Sequence, residues 1–266
     1  MPQAIRKRGR PKAGDQKPAT VQVLDRALDV LELLARGNGL TLSQIAETTG
    51  QPPSTVHRIL TTLNQRGMAE SDAATQAWHV GPACFGLGAA FTRRADIVDR
   101  ARPILHKLME DTGETANLGV LYGDTVLFVS QIETQQPVRA CLAPGTRVPL
   151  YASGIGKALL AFGSDDALQA ILDGPSLAGF TPQTLVSPDA LREDLSRTRH
   201  RGFAVDDEER AVGMRCVAAP VLDVAGQPIA GISISGPTHR VGPAHLKTLG
   251  AVVVAAAEEL TQAIGG

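Results

Sequence analysis

The chain has 266 residues, 43% of them hydrophobic and 20% charged, with a formal net charge of −1. This is the make-up of an ordinary globular chain with material for two domains and ample core. Near-neutrality excludes a polyanion partner held by bulk charge alone, so any such partner must meet a local basic patch.

The charge is unevenly spread. Residues 1–82 hold ten Lys/Arg against seven Asp/Glu, and the remainder holds sixteen against twenty. Six of the ten cations lie in residues 1–19, around Lys7-Arg8-Gly9-Arg10-Pro11-Lys12. Such an arm gains affinity for nucleic acid by counterion release. Its Arg-Gly-Arg-Pro core has the form of an AT-hook, which would lay Arg8 and Arg10 into a narrow minor groove. A basic tail that only confers solubility is the competing reading. The segment lacks the apolar core of a signal peptide, and the longest apolar run, Leu249–Ala257, is too short to span a membrane. Cys84, Cys141 and Cys216 are odd in number and widely spaced, with neither a disulfide framework nor a zinc pattern, so a reducing cytoplasm is expected.

Val21–Gly37 predicts an amphipathic helix with Leu24, Ala27, Leu28, Leu31 and Leu34 on one side. Thr41 and Gln44 form a capping box, so a second helix should start near Leu42, with Leu42, Ile45 and Ala46 inward, and stop at Gly50. Pro53 can occupy the first position of a third helix, running to about Arg66, whose Val56, Ile59, Leu60 and Leu63 make one apolar stripe. Its other face carries Ser54, Thr55, His57, Arg58, Thr61 and Thr62, with no carboxylate until Glu70. A helix face rich in hydroxyls and cations and free of acid suits phosphates and base edges, the layout of a helix-turn-helix recognition helix. The candidate DNA-contacting residues are Ser54, Thr55, His57, Arg58 and Thr61. Met68–Ser71 and Ala77–Val80 read as a hairpin wing. A solvated helical hairpin in some other fold is the alternative.

Residues 82–94, rich in small residues, predict a linker helix in which Gly86 and Gly88 permit close helix approach and a dimer seam. Asp96–Thr112 predicts another amphipathic helix, with Ile97, Ala101, Ile104, Leu105 and Leu108 inward. β-type runs follow at Ala116–Leu121, Thr125–Ile132 and Val138–Leu142, then helices at Ser153–Phe162, Asp165–Leu172 and Pro188–His200. Strands at Phe203–Val205, Cys216–Leu222 and Ile229–Ser235 precede a closing helix, Ala244–Ile264. Strands and helices are grouped rather than alternating, which predicts an α+β domain with a largely antiparallel sheet. The expected division is a basic arm over 1–19, a winged helix-turn-helix over 20–82, a linker helix over 83–95 and a second domain over 96–266.

In that second domain, Ser153-Gly154-Ile155-Gly156-Lys157 opens a helix with a glycine-rich turn, so its amides form an anion site. A phosphate-binding P-loop is excluded, because Tyr151 replaces the first Gly and Ala158 the magnesium-binding hydroxyl. Ser233 and Ser235 fall on one face of a strand, and Ile232 and Ile234 on the other. With Cys216 and Asp206, the serines would line a cavity for a small oxyacid that also bears a carbonyl or hydrate hydroxyl; partners from water or backbone are the alternative. An enzyme using Cys216 would need a base, for which His239 is the candidate. No nucleophile elbow, metal cluster or dinucleotide fingerprint occurs in the sequence, so no catalytic residue, metal or cofactor is expected.

Four motifs together resemble the IclR family of bacterial transcriptional regulators over about Gln22 to Ile264: LSQIAETTGQPPSTVHRIL, PLYASGIGKALLA, DDEER with Gly213 and Cys216 downstream, and AGISISGP. The RGRP arm, VGPACFGLGAAF, GETANLGV and VDDEERAVGMRC look most like the subgroup of allantoin- and glyoxylate-responsive repressors. The resemblance implies a winged helix followed by a GAF/profilin-like α+β effector domain, and dimers that pair into tetramers on DNA. It implies Gly154 and Ile155 as backbone donors to a carboxylate, Asp206, Cys216, Ser233 and Ser235 as side-chain partners, and Met214 as apolar wall. Ile155 is larger than the residue expected there. The implied partners are an operator duplex, a glyoxylate-like carboxylate, further copies of the chain, and RNA polymerase as a contact open to such a regulator; a membrane is not among them. An architectural DNA binder without an effector is the competing class.

Overall fold

The computed structural model describes residues 21–94, 97–139, 142–174 and 176–265. Arg8, Arg10 and the whole basic arm lie outside the described residues. The chain divides into two compact units between Phe91 and Thr92.

The first unit contains α1 (Gln22–Arg36), α2 (Leu42–Thr49), α3 (Pro53–Gln65), β1 (Ala69–Ser71), β2 (Trp78–Val80) and most of α4 (Ala83–Arg94). The capping box forms at α2: the Thr41 amide donates to Gln44 Oε1 at 2.9 Å, and the Gln44 amide to Thr41 Oγ1 at 3.4 Å. Gly50 ends α2 at φ 63°, a conformation that costs a side-chain-bearing residue about 1–2 kcal/mol. Val56, Ile59, Leu60 and Leu63 of α3 bury against Val30, Leu34, Ile45 and Ala46. β1 and β2 pair antiparallel, Ala69 opposite Val80, and Leu40 adds a bridge to Trp78. The predicted stripe on α1 is only partly right. Val30 and Leu34 are buried and Ala27 and Leu31 half-buried against the core, whereas Leu24 and Leu28 are exposed. Only the second half of α1 meets the helical pair, so the apolar period of its first half has no core to face.

The second unit is a six-stranded antiparallel sheet in the order β5-β4-β3-β8-β7-β6. The strands are β3 (Thr115–Tyr122), β4 (Thr125–Ile132), β5 (Arg147–Pro149), β6 (Ala204–Asp207), β7 (Met214–Leu222) and β8 (Pro228–Pro237). α5 (Ile97–Thr112) and α9 (Leu246–Ala263) cover one face, where Leu105, Leu108, Leu118, Val217, Ile232, Ile234, Val253 and Leu260 form the core. α6 (Gly154–Phe162) covers the other, flanked by α7 (Asp165–Leu172) and α8 (Pro188–Arg201), with Phe128, Val148, Leu160, Leu168, Leu191 and Ala218 packed there. The fully buried Ile232 and Ile234 each stabilise by about 1.5–3 kcal/mol relative to exposure.

Two expectations need correction. Val138 and Leu142 are not in a strand, and Ala140 and Cys141 lie outside the described residues. The strand forms instead at Arg147–Pro149, on the sheet edge where proline is tolerated. Ile97 packs half-buried against the core as expected, and Val98 beside it is buried. The closing helix starts at Leu246, after a 3₁₀ turn over Pro243–His245. No helix among the described residues is long and apolar enough to cross a membrane.

Candidate functional site

In the first unit, packing of the α3 stripe turns Ser54, His57, Arg58 and Thr61 outward, while Thr55 is half-buried. Two of the hydroxyls are partly committed: Thr61 Oγ1 donates to the His57 carbonyl at 2.8 Å and Thr62 Oγ1 to that of Arg58 at 2.9 Å. Thr61 therefore offers an acceptor and a methyl rather than a donor. Arg58 lies along a groove with Val23, Arg26 and Ala27 of α1 and Thr55 and Thr62 of α3. The wing carries no Lys or Arg. It exposes Glu70, and at its tip Asp72 folds back to accept the amides of Ala74 at 2.7 Å and Thr75 at 3.1 Å. Those backbone donors hold the Asp72 carboxyl below its usual range. The basic side chains of that groove are therefore Arg26 of α1 and Arg58 of α3, and none comes from the wing.

In the second unit, three strands bring the predicted residues together by register. Asp206 of β6 pairs with Cys216 of β7, which pairs with Ser235 of β8, so three side chains stand in a row on the α6 face. The first turn of α6 meets that row. Gly154 is required there, since a Cβ on it would lie 2.7 Å from Cys216 Sγ. A Cβ on Gly156 would lie 2.2 Å from the Leu150 carbonyl oxygen. Ser153 caps the helix, its Oγ accepting the Gly156 amide at 3.2 Å. The amides of Gly154 and Ile155 precede any intrahelical acceptor, so this turn presents two N–H donors and the positive end of the helix dipole.

Between them lies a cavity of about 200 Å³. Gly154, Ile155, Asp206, Met214, Cys216 and Ser235 all line it. Ser233 does not: it is fully buried behind Ser235, and both serine hydroxyls accept from Asn117 Nδ2 at 3.4 Å. Asn117 is in turn held by Gln131 Nε2, 2.9 Å from its Oδ1. Phe128, Leu142 and Val148 form an apolar wall, and Arg139, Arg210 and Arg215 also line the cavity, with Ser153 and Ala211. Sequence reasoning did not place these residues at the site. Arg139 and Leu142 reach it from a loop without periodic signal. Arg210 ends the DDEER motif, from which only Asp206 was assigned to the site, and its guanidinium stacks 4.2 Å over the Phe180 ring.

The lysine of the P-loop look-alike was also missed. Lys157 is fully buried, donating to Asp194 Oδ2 at 2.8 Å, to the Val205 carbonyl at 2.5 Å and to Glu209 Oε1. It is a structural ion-pair centre beneath the cavity. Burial pushes the Glu209 carboxyl up to about 7 against the pull of Lys157, and its Oε2 has no hydrogen-bond partner. Burial likewise raises the Asp206 carboxyl, although Lys157 and the Glu209 and Arg210 amides favour its charged form. Burial, then the nearby Asp206, pushes the Cys216 thiol up to about 11, the opposite of an activated thiolate.

Comparison with known proteins agrees with this architecture. The profile of the IclR helix-turn-helix domain matches residues 23–73, and that of the bacterial transcriptional regulator IclR C-terminal domain matches residues 89–262. The chain is 55% identical to the HTH-type transcriptional regulator BhcR of Paracoccus denitrificans over 97% of its length and 94% of that protein. It is 41% identical to the acetate operon repressor of Salmonella typhimurium, over 98% and 97% of the two chains. The repressor AllR of Salmonella typhi matches at 36% over the same shares. The crystal structure of Thermotoga maritima IclR superposes with a TM-score of 0.76 at 29% identity, over 92% of this chain and 99% of that one. An IclR homolog of Microbacterium hydrocarbonoxydans, solved with 4-hydroxybenzoate, shares the fold with a TM-score of 0.78 at 23% identity, over 90% and 98%. The helix-turn-helix, the six-stranded α+β domain and these matches place the chain in the IclR family of DNA-binding transcriptional regulators, whose members here include repressors.

Proposed function

We propose that this chain is a repressor that binds an operator through α3 and releases or tightens its grip when a small α-oxo carboxylate such as glyoxylate occupies the cavity of the second unit. The observation that carries the effector reading is the row Asp206–Cys216–Ser235 facing the Gly154 and Ile155 amides across about 200 Å³. Two backbone donors at a helix N-terminus suit a carboxylate. The serine, thiol and carboxyl opposite suit a carbonyl or hydrate hydroxyl on the next carbon. A small acid is known in this fold, 4-hydroxybenzoate in the Microbacterium protein. The present cavity has one aromatic ring in its lining, Phe128, which favours an aliphatic acid over a stacked one.

On the DNA side, the reading rests on the exposed, acid-free face of α3, with Ser54, Thr55, His57, Arg58 and Thr61 as the contacting set and Arg8 and Arg10 of the arm as minor-groove contacts. Dimerisation finds support in the apolar surface left open on the first unit: Val23, Leu24 and Leu28 of α1 and Phe85 and Leu87 of α4 are exposed. A dimer of dimers and a contact with RNA polymerase remain within this reading. For the effector to act, it must bind one quaternary arrangement better than another. The test is Ser235→Ala. This variant should bind the DNA upstream of its own gene as wild type does and lose the response to glyoxylate. An unchanged response removes the assignment of the cavity.

A further inference from the structure

The cavity would set an incoming carboxylate beside a buried acid. An incoming carboxylate must enter a space walled by Asp206, a residue only 8% exposed. Each charged group near that carboxyl has a role in the resting protein. Beneath it on α6, Lys157 is committed to Asp194 of α8 and to Glu209. Arg201, also on α8, donates to the Phe203 carbonyl at 2.5 Å and lies 3.9 Å from Asp194. Across the sheet, Arg215 of β7 pairs with Asp207 and donates to the Val241 carbonyl at 2.6 Å. Arg139 pairs with Glu133 at 2.8 Å. Arg210, following Glu209, is stacked on Phe180. The Cys216 thiol beside Asp206 is neutral. Asp206 itself accepts the Glu209 amide on Oδ1 at 2.8 Å. Two carboxylates brought together beside so buried a group repel one another, which favours a proton on one of them.

We propose that the effector enters with a proton: Asp206 binds it as the neutral carboxylic acid and donates a hydrogen bond where a carboxylate would repel the anion. This rests on the cavity being the effector site. The proton comes from solvent and no covalent bond changes. Burial already raises the Asp206 carboxyl, so an added anion moves it further in the same direction. The N–H donors of Gly154 and Ile155 hold the carboxylate end, and the protonated Asp206 addresses the other oxygens. The same arrangement discriminates against a ligand that has no acceptor to offer Asp206.

The test is calorimetric titration of the full-length protein with glyoxylate, and in parallel with pyruvate, from about pH 6 to about pH 9 in buffers of different ionisation enthalpy. The prediction is that Kd rises by up to about tenfold per pH unit in the upper part of this range, with the buffer dependence reporting uptake of up to about one proton per ligand. Asp206→Asn should bind with a Kd flat in pH, and Glu209→Gln should keep the wild-type slope. A flat wild-type profile with normal binding overturns the proposal and leaves the effector site standing. A slope that survives in Asp206→Asn, or disappears only in Glu209→Gln, overturns it as well. Absence of binding of either acid at every pH overturns the effector reading together with this proposal.

Discussion

On α3, Arg58 combines a permanent cation with a planar donor fork that can grip a guanine edge or a phosphate, and it is exposed to do so. Arg58→Ala is expected to weaken operator binding by about 1–3 kcal/mol and to relax sequence preference, as read by footprinting. A wild-type footprint would remove α3 from the groove. Lys157 plays the converse part, holding together a site it does not touch. Lys157→Met leaves Asp194 and Glu209 buried without their shared cation, so thermal or urea unfolding should show a loss of about 3–5 kcal/mol. A near-neutral effect would mean that the two acids are protonated or solvated instead. Glu209 also makes stability depend on pH. Its folded value, about 7, lies above the ordinary 4.5, so its contribution is fully present below about 4.5 and is lost as the pH rises through about 7. Glu209→Gln keeps that contribution at every pH. Melting curves of the two proteins should therefore diverge in favour of the variant as pH rises from about 5 to about 8; parallel curves would show that the carboxyl titrates normally.

The elements differ in how plainly the sequence announced them, and the differences have physical causes. α2 and α3 carry their own punctuation: the Thr41 cap, the stop at Gly50, the start at Pro53 and a stripe whose four members are all buried. Thr41→Ala should cost about 1 kcal/mol, visible as a lower melting temperature of the first unit. Ser233 and Ser235 were legible because strand alternation is strict, although alternation cannot say which of two residues on one face reaches a cavity. α1 misled because an apolar period promises a core only where another element comes to meet it. Residues 138–142 misled because composition alone suggested a strand, while the sheet edge took three residues ending in Pro149. Arg139, Arg210 and Phe128 converge on the cavity from separate segments, and no local pattern encodes such a meeting.

In the whole molecule, the proposed function requires that anion binding in the second unit alter DNA binding by the first. In the proposed reading the basic arm adds charge to DNA binding. Deleting residues 1–19 removes six Lys/Arg and should lower the slope of log K against log salt by up to about 5, while leaving effector affinity unchanged. An unaltered slope would make the arm a solubilising tail. The central claim is that small-anion binding in the second unit changes DNA affinity in the first. It is tested most directly by fluorescence anisotropy of the full-length protein on a labelled duplex from upstream of its own gene, titrated with glyoxylate at fixed salt. The account predicts tight binding without the acid and a saturable change in affinity with it, absent in Ser235→Ala. Tight binding that stays constant across the titration, in the wild type as in the variant, would contradict it.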